Sequence, residues 1–289
     1  MTTANLSRRS FVLASLSAAL SATALAGCGG TPAVVDDTST TTDDAAEAGT
    51  GAVDTGTLIV GFDSAYPPYG YVGDDGEYTG FDLELAQEVA SRNDWDVQLE
   101  PIDWDAKDTL LDSGAINCIW NGFTVEGRED DYTFSEPYML NAQVVVVKAD
   151  SGISTFDDLA GKAVVTQIDS AALDVLEGDQ ADLAATFASL ETISDYNTAF
   201  MQLESGAVDA VACDLSIAAY QLAAKPDAYA QLDEQLSAEH YAVGFKKGDD
   251  ATATTVTDTL RAMDEDGFVQ QLCEKYADQG ISYENWCLE

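Results

Sequence analysis

The stretch IWNGFTVEGRED, residues 119–130, sets Arg128 just beyond an apolar run that ends in Trp120. The chain carries 12 Lys and Arg against 52 Asp and Glu. A guanidinium kept beside Asn121, Gly122, Phe123 and Thr124 therefore asks what it holds. Its planar fork of donors matches a carboxylate bidentately. In open α/β sheets ligands bind beyond the carboxyl ends of the strands. Asp63 and Tyr66 follow the run TLIVGF, Trp104 follows VQLEPI, Gln167, Ser170 and Ala171 follow KAVVT, and Asp214 follows AVDAVAC. These gather a planar cation, carboxylates, hydroxyls and aromatic faces at one edge. That mixture suits a zwitterion, with guanidinium on carboxylate, Asp on ammonium and aromatics over the side chain. Plainer roles compete: Arg128 pairing with Glu126, Glu129 or Asp130 on a solvated face, Asp214 capping the apolar helix after it, Asp63 in a turn, Tyr66 and Trp104 as core.

The elements that must position these residues alternate. TLIVGFD reads as a buried strand, and FDLELAQEVASRN places Phe81, Leu83, Leu85, Ala86 and Val89 at nearly helical spacing. VQLEPI is a second strand, AKDTLLDSG a helix stopped by Gly114, and AINCIW a third strand. KAVVTQ, ATFASL and AVDAVACD continue as strands, with helices at residues 171–177, 195–204 and 215–223 between and after them. The pattern predicts an α/β fold with mostly parallel sheets. LLDSGAINCIWN and QLESGAVDAVACD share a helix end, a Ser-Gly-Ala turn and an apolar strand, the internal echo expected of two similar lobes. AQVVVVKAD and HYAVGFKKGD fit simple alternation poorly and read as crossovers between lobes.

Several stretches together, VGFDSAYPPYGYV, GEYTGFDLELAQEVA, IDWDAKDTLLDSGAINCIWNGFTVEGRED, DYTFSEPYM, FDDLAGKAVVTQ and GAVDAVACD, resemble the extracytoplasmic solute-binding proteins for polar amino acids that serve ABC importers (family 3 type). The resemblance spans about residues 57–278. It implies a two-lobed periplasmic-binding-protein-like fold (type II), each lobe a sheet flanked by helices with two crossover strands as hinge. Lobe 1 is expected at 57–146 plus 242–289 and lobe 2 at 147–241. It implies an amino-acid ligand, an ABC permease as partner, a monomer, and neither cofactor nor metal. By position, Arg128 matches the arginine that grips the α-carboxylate, aided by N–H groups near Thr124 and Ala171. Asp214 matches the acceptor of the α-ammonium, with the Gly122 carbonyl nearby. Tyr66 and Trp104 match aromatic walls, and Asp63 a side-chain contact. In two places the chain departs from the family. GFTVEGRE is one residue shorter between Gly and Arg than the commoner form, which puts Arg128's reach in question. QIDSAA sets Asp169 and Ser170 where Gly-Thr or Gly-Ser is usual, adding a carboxylate that disfavours anionic ligands.

A formal charge of −40 repels nucleic acid and anionic membranes, so nucleic-acid binding is excluded. LSRRSFVLASLSAALSATALAGC runs from basic to apolar to small residues before Cys28. Arg8 and Arg9 resemble a twin-arginine export signal and LAGC a lipobox, so residues 1–27 are expected to be removed and Cys28 lipidated. Residues 28–56, rich in Thr, Asp, Ala and Gly, are expected to act as a flexible acidic tether to the outer face of the cell membrane. Of the other cysteines, Cys118 and Cys213 sit in apolar runs as buried thiols, while Cys273 and Cys287 bracket a short loop that a disulfide would close. With no CxxC and His240 the one histidine, a metal site is not expected. No GxSxG elbow occurs, and an enzyme on the same scaffold, dehydratase-like, or a ligand-sensing lipoprotein are the alternatives to a transport component.

Overall fold

The computed structural model describes residues 56–288. The expected signal segment, Cys28 and the tether up to residue 55 lie outside the described residues. The first part of the fold runs β1 (Thr57–Phe62), β2 (Ala65–Tyr66), β3 (Gly70–Val72), β4 (Tyr78–Thr79), α1 (Phe81–Arg92), β5 (Asp96–Pro101), α2 (Lys107–Ser113), β6 (Cys118–Ile119) and β7 (Tyr132–Phe134). The chain then enters β8 (Met139–Lys148), β9 (Ala163–Gln167), α3 (Ala171–Glu177), α4 (Ala181–Ala184), β10 (Ser189–Ile193), α5 (Tyr196–Ser205), β11 (Ala210–Asp214), α6 (Leu215–Ala224) and β12 (Tyr229–Tyr241). It returns through β13 (Gly244–Lys246), α7 (Asp250–Glu265) and α8 (Phe268–Lys275).

Two five-stranded sheets result, ordered β5-β1-β6-β13-β7 and β10-β9-β11-β8-β12, with β2-β3-β4 as a small meander beside the first. Each sheet is mixed. β5, β1 and β6 are parallel, as are β10, β9 and β11, because helices carry the chain back between them. The strands on the other side, β13 and β7 in one sheet and β8 and β12 in the other, run antiparallel. They belong to the two crossings between lobes, and a returning segment enters a sheet from the opposite end. β8 pairs with β12 from Met139 onward, so the expected lobe boundary at residue 146 falls inside a strand of the second sheet.

Helix α1 buries Phe81, Leu83, Leu85, Ala86 and Val89, the spacing read from sequence. α2 and α5 stop at Gly114 and Gly206, whose left-handed backbone, φ 76° and 75°, favours glycine. The expected third strand, residues 115–120, pairs formally only at Cys118 and Ile119, because Asn117 takes a strand's place with its side chain. Its Oδ1 accepts from Ile59 N at 2.8 Å and its Nδ2 donates to Thr57 O at 2.8 Å. ATFASL is displaced: the strand is Ser189–Ile193, and residues 185–188 turn ahead of it. This edge strand is partly exposed and carries Glu191 and Thr192, so its apolar signal is faint. Val144 and Val146 join the larger core, which also holds Trp120, Tyr138 and Tyr241, while Val145 and Val147 join the separate core under the second sheet. A strand buried on both faces reads as an unbroken apolar run. No helix among the described residues is long and apolar enough to cross a membrane.

Candidate functional site

The loop after β6 carries the largest single share of the site, and its path depends on one glycine. Gly122 has φ +57°, and a Cβ there would lie 3.1 Å from the rings of both Tyr66 and Tyr241. Its N–H donates to Asp82 Oδ2 at 2.6 Å, and Tyr138 OH donates to Asp82 Oδ1 at 2.8 Å. Burial pushes the Asp82 carboxyl up to about 7 against these two bonds, which pull it down. Further along, Ala242 N donates to the Phe123 carbonyl and Val125 N to the His240 carbonyl, both at 3.0 Å. The loop is thus stitched to the chain returning from the second sheet.

Arg128 does not pair with Glu126, Glu129 or Asp130. Its side chain is nearly buried, with its guanidinium carbon 5.0 Å from the centre of the Phe123 ring. Nη1 approaches the Thr124 carbonyl at 3.5 Å, and Nη2 donates across to the second lobe, to Asp169 O at 3.3 Å and Asp174 Oδ2 at 3.0 Å. Asp174 is largely exposed, so that ion pair is weak by itself. Glu126 instead holds the His240 ring and backbone N–H. A second cation, missed in the sequence, sits beside Arg128. Lys107 is buried, 5.5 Å from the centre of the Trp104 ring, with Nζ 3.5 Å from Asp169 Oδ2. Desolvation, with Arg128 as a like-charged neighbour, lowers its pKa, which Asp108 and Asp169 partly restore. Trp104 Nε1 donates to the Asp169 carbonyl at 3.1 Å. Asp169, with φ 54°, therefore meets Trp104, Arg128 and Lys107 across the cleft, and the shortened loop still brings Arg128 to the seam.

Asp214 occupies the cap position of α6 without capping it: its side chain makes no bond to the helix N–H groups. Oδ1 accepts from Asn141 Nδ2 at 3.0 Å, Gln143 Nε2 at 2.7 Å and Tyr241 OH at 2.8 Å. Burial, then the Asp214 charge, raises the pKa of Tyr66, Tyr241 and Tyr196, so these phenols stay protonated. Asp63 receives Ala65 N at 2.7 Å on Oδ1 and Gln167 Nε2 at 2.7 Å on Oδ2, a bond between lobes. Desolvation raises its pKa, opposed by those two bonds.

Ten of the twelve expected residues line one small, tightly closed cavity between the two sheets. Tyr66, Trp104, Asn121, Gly122, Thr124 and Arg128 come from the first lobe, and Gln167, Ser170, Ala171 and Asp214 from the second. Asp63 stands one bond away through Gln167 and Asn121, whose Oδ1 accepts the Asp63 N–H at 2.9 Å; Phe123 lies beneath the guanidinium. Ser170 caps α3, accepting from Leu173 N at 3.2 Å. Sequence reasoning missed Lys107, Asp174, Asn141, Gln143, Glu239 and Tyr241. Only Gln143 left a signal, as a polar residue interrupting an apolar run. Among the described residues no cluster of metal-ligating side chains occurs. The disulfide expected between Cys273 and Cys287 is not formed; Cys118, Cys213, Cys273 and Cys287 are all free thiols. Cys273 is buried in α8, while the Cys287 backbone is held elsewhere, donating to Tyr138 O at 3.0 Å.

With this geometry in place, comparison with known proteins is specific. The chain is 34% identical to the L-cystine-binding protein TcyJ of Escherichia coli K12 over 225 residues, 76% of this chain and 82% of that protein. A substrate-binding protein of an ABC uptake transporter from Streptococcus pneumoniae, solved with bound histidine, superposes with a TM-score of 0.75 at 31% identity, covering 78% of this chain and 94% of that one. Tv2483 bound to L-arginine superposes with a TM-score of 0.74 at 27% identity, covering 80% and 94%. Residues 58–279 match one family, and the chain belongs to it: the bacterial extracellular solute-binding proteins, family 3.

Proposed function

We propose that this protein is the non-catalytic binding component of an ABC importer, closing its two lobes over a free polar amino acid outside the cytoplasm and presenting it to the permease. One observation carries the reading: Arg128 and Asp214, from different lobes, line the same small cavity between aromatic walls. Arg128, with backbone N–H groups near Thr124 and Ala171, takes the α-carboxylate. Asp214, with the Gly122 carbonyl, takes the α-ammonium. Tyr66 and Trp104 cover the side chain, and Asn121, Gln167, Ser170 and Asp63 complete the polar lining over Phe123. The lobes turn about the crossings at residues 135–138 and 242–243, where the chain passes between the two sheets.

The cargo is a neutral polar amino acid, with cystine the first candidate. Asp63, the acid best placed for a basic side chain, is already held by Gln167 and Ala65 N. Lys107 is engaged by Asp169, which counts against an anionic side chain. The relative at 34% identity is named for cystine. A thermal-shift screen of the refolded protein against the free amino acids tests this. A ligand at 100 times its Kd adds about 2.7 kcal/mol of stability. A shift with cystine and not with arginine or lysine supports the assignment; a shift only with basic amino acids overturns the neutral cargo, and conversion of the ligand overturns the non-catalytic reading. Lipidation of Cys28 is part of the proposal, resting on the LAGC pattern. Cys28→Ser should release the protein from the membrane fraction, and retention there would remove the anchor.

A further inference from the structure

Behind the Asp214 wall stands a second carboxylate. Glu239, on β12, is 2% exposed. Its Oε1 accepts from Thr124 Oγ1 at 3.0 Å, Asn141 Nδ2 at 2.6 Å and Gln143 Nε2 at 2.8 Å. The same two amide nitrogens donate to Asp214 Oδ1. Two carboxylate oxygens served by the same pair of NH₂ groups are close neighbours in a site shielded from water, where two negative charges cannot be held side by side without a cation. The groups around them supply none directly. β8 contributes the neutral Asn141 and Gln143, and the loop after β6 contributes Thr124. Tyr241 adds a hydroxyl on Asp214, itself 3.3 Å from Tyr66 OH and Ser216 Oγ. Arg128 reaches the Thr124 carbonyl, not either acid, and the next residue, His240, is spent on Glu126 at the surface. Asp214 lines the cavity and Glu239 does not, so the shared proton belongs on Glu239. Burial, then the Asp214 charge, pushes the Glu239 carboxyl up to about 8.

We infer that Glu239 is a positioning residue for the cationic end of the ligand, resting protonated behind Asp214 and giving up its proton when an ammonium group arrives. The inference rests on the reading that Asp214 receives the ligand's ammonium. In the step the Glu239 O–H bond breaks and the proton leaves to bulk water or buffer. The new carboxylate charge is balanced by the ammonium, and nothing is oxidised or reduced. Amino-acid binding therefore releases a proton, and affinity rises with pH, by up to about tenfold per unit, until Glu239 is ionised before binding. The shared amides keep Asp214 oriented in both states.

The test is calorimetric titration of the full protein with the amino acid found by the screen, between pH 6 and 8.5, in buffers of differing ionisation enthalpy. The expected result is proton release approaching one per ligand near neutral pH and affinity climbing with pH. Glu239→Gln should release no proton, and its deficit relative to wild type should widen with pH to about tenfold or more at pH 8.5. Should that variant not fold, infrared difference spectra of wild type give the same answer: a protonated carboxylic-acid band should vanish on ligand addition. Binding with a flat pH profile and no buffer-dependent heat overturns the inference while leaving the amino-acid reading intact. So does proton release that persists in Glu239→Gln. Failure of every amino acid to bind at any pH removes the reading and the inference together.

Discussion

Arg128 and Lys107 find their partners across the seam, at the backbone and carboxylate of Asp169 and at Asp174, whereas Asp214 takes most of its bonds from Asn141, Gln143 and Tyr241 within and beside one sheet. The difference separates two kinds of organisation. The acid wall is built within one lobe, because its donors sit on neighbouring strands of the same sheet. The cationic wall draws its partners from the other lobe. On the proposed reading, charge on the first would serve recognition, and charge on the second recognition and closure together.

The sharpest way to break that comparison is Arg128→Ala. Removing one partner of a buried hydrogen-bonded charge pair costs about 2–5 kcal/mol, so amino-acid affinity should fall at least about 30-fold, measured by calorimetry, while cooperative unfolding persists. Unchanged affinity would sink the assignment. Asp214→Asn comes next. Losing a charge-assisted bond of about 1.5–3 kcal/mol should weaken binding roughly ten- to a hundredfold with little change in Tm, because the helix is not capped by this side chain. A large fall in Tm with affinity intact would show that the residue is structural after all.

A third test reaches the base of the Gly122 loop. The folded pKa of Asp82 is raised to about 7, so the folded state binds more protons than the unfolded state between the ordinary carboxylate range and that value. Its contribution to stability is therefore fully present at low pH and is lost as pH rises through about 7. The Tm of wild type relative to Asp82→Asn should decline across that window, and a relative Tm that rises with pH would reverse the assignment. The smallest effect is expected for Asp169→Asn, which tolerates the positive φ and removes only the Lys107 ion pair. The bonds to the Asp169 carbonyl remain, so affinity should fall by about 0.2–1 kcal/mol, more at low salt than at high. A loss as large as that of Arg128→Ala would mean that the rim, not the guanidinium, dominates closure.

Much of this site was legible in the sequence because the fold delivers it from strand ends. Asn121, Gly122 and Thr124 after β6, Gln167 and Ser170 after β9, and Asp214 at the end of β11 converge for that reason alone. Helix stops at Gly114 and Gly206 were equally plain. What stayed hidden comes from side-chain pairing over long sequence distance. Asn141 and Glu239 are 98 residues apart and meet only because two crossing strands run antiparallel. Lys107 opens a short helix with nothing in its neighbours to mark it, yet packing against Trp104 and a salt bridge from the other lobe bury it. The mixed character of the sheets was hidden likewise, since a returning strand carries no mark of the direction in which it will pair.

Trp104 spans the seam with its indole nitrogen, bonded to a carbonyl that moves with the opposite lobe. Indole emission shifts to longer wavelength as the ring enters water, and the chain's other tryptophans, Trp95, Trp120 and Trp286, pack in or against a different apolar cluster from that of Trp104. The molecule therefore carries its own optical gauge: without dye or label, the colour of Trp104 fluorescence should track how far the jaws are apart, and stopped-flow mixing should read the speed at which they shut.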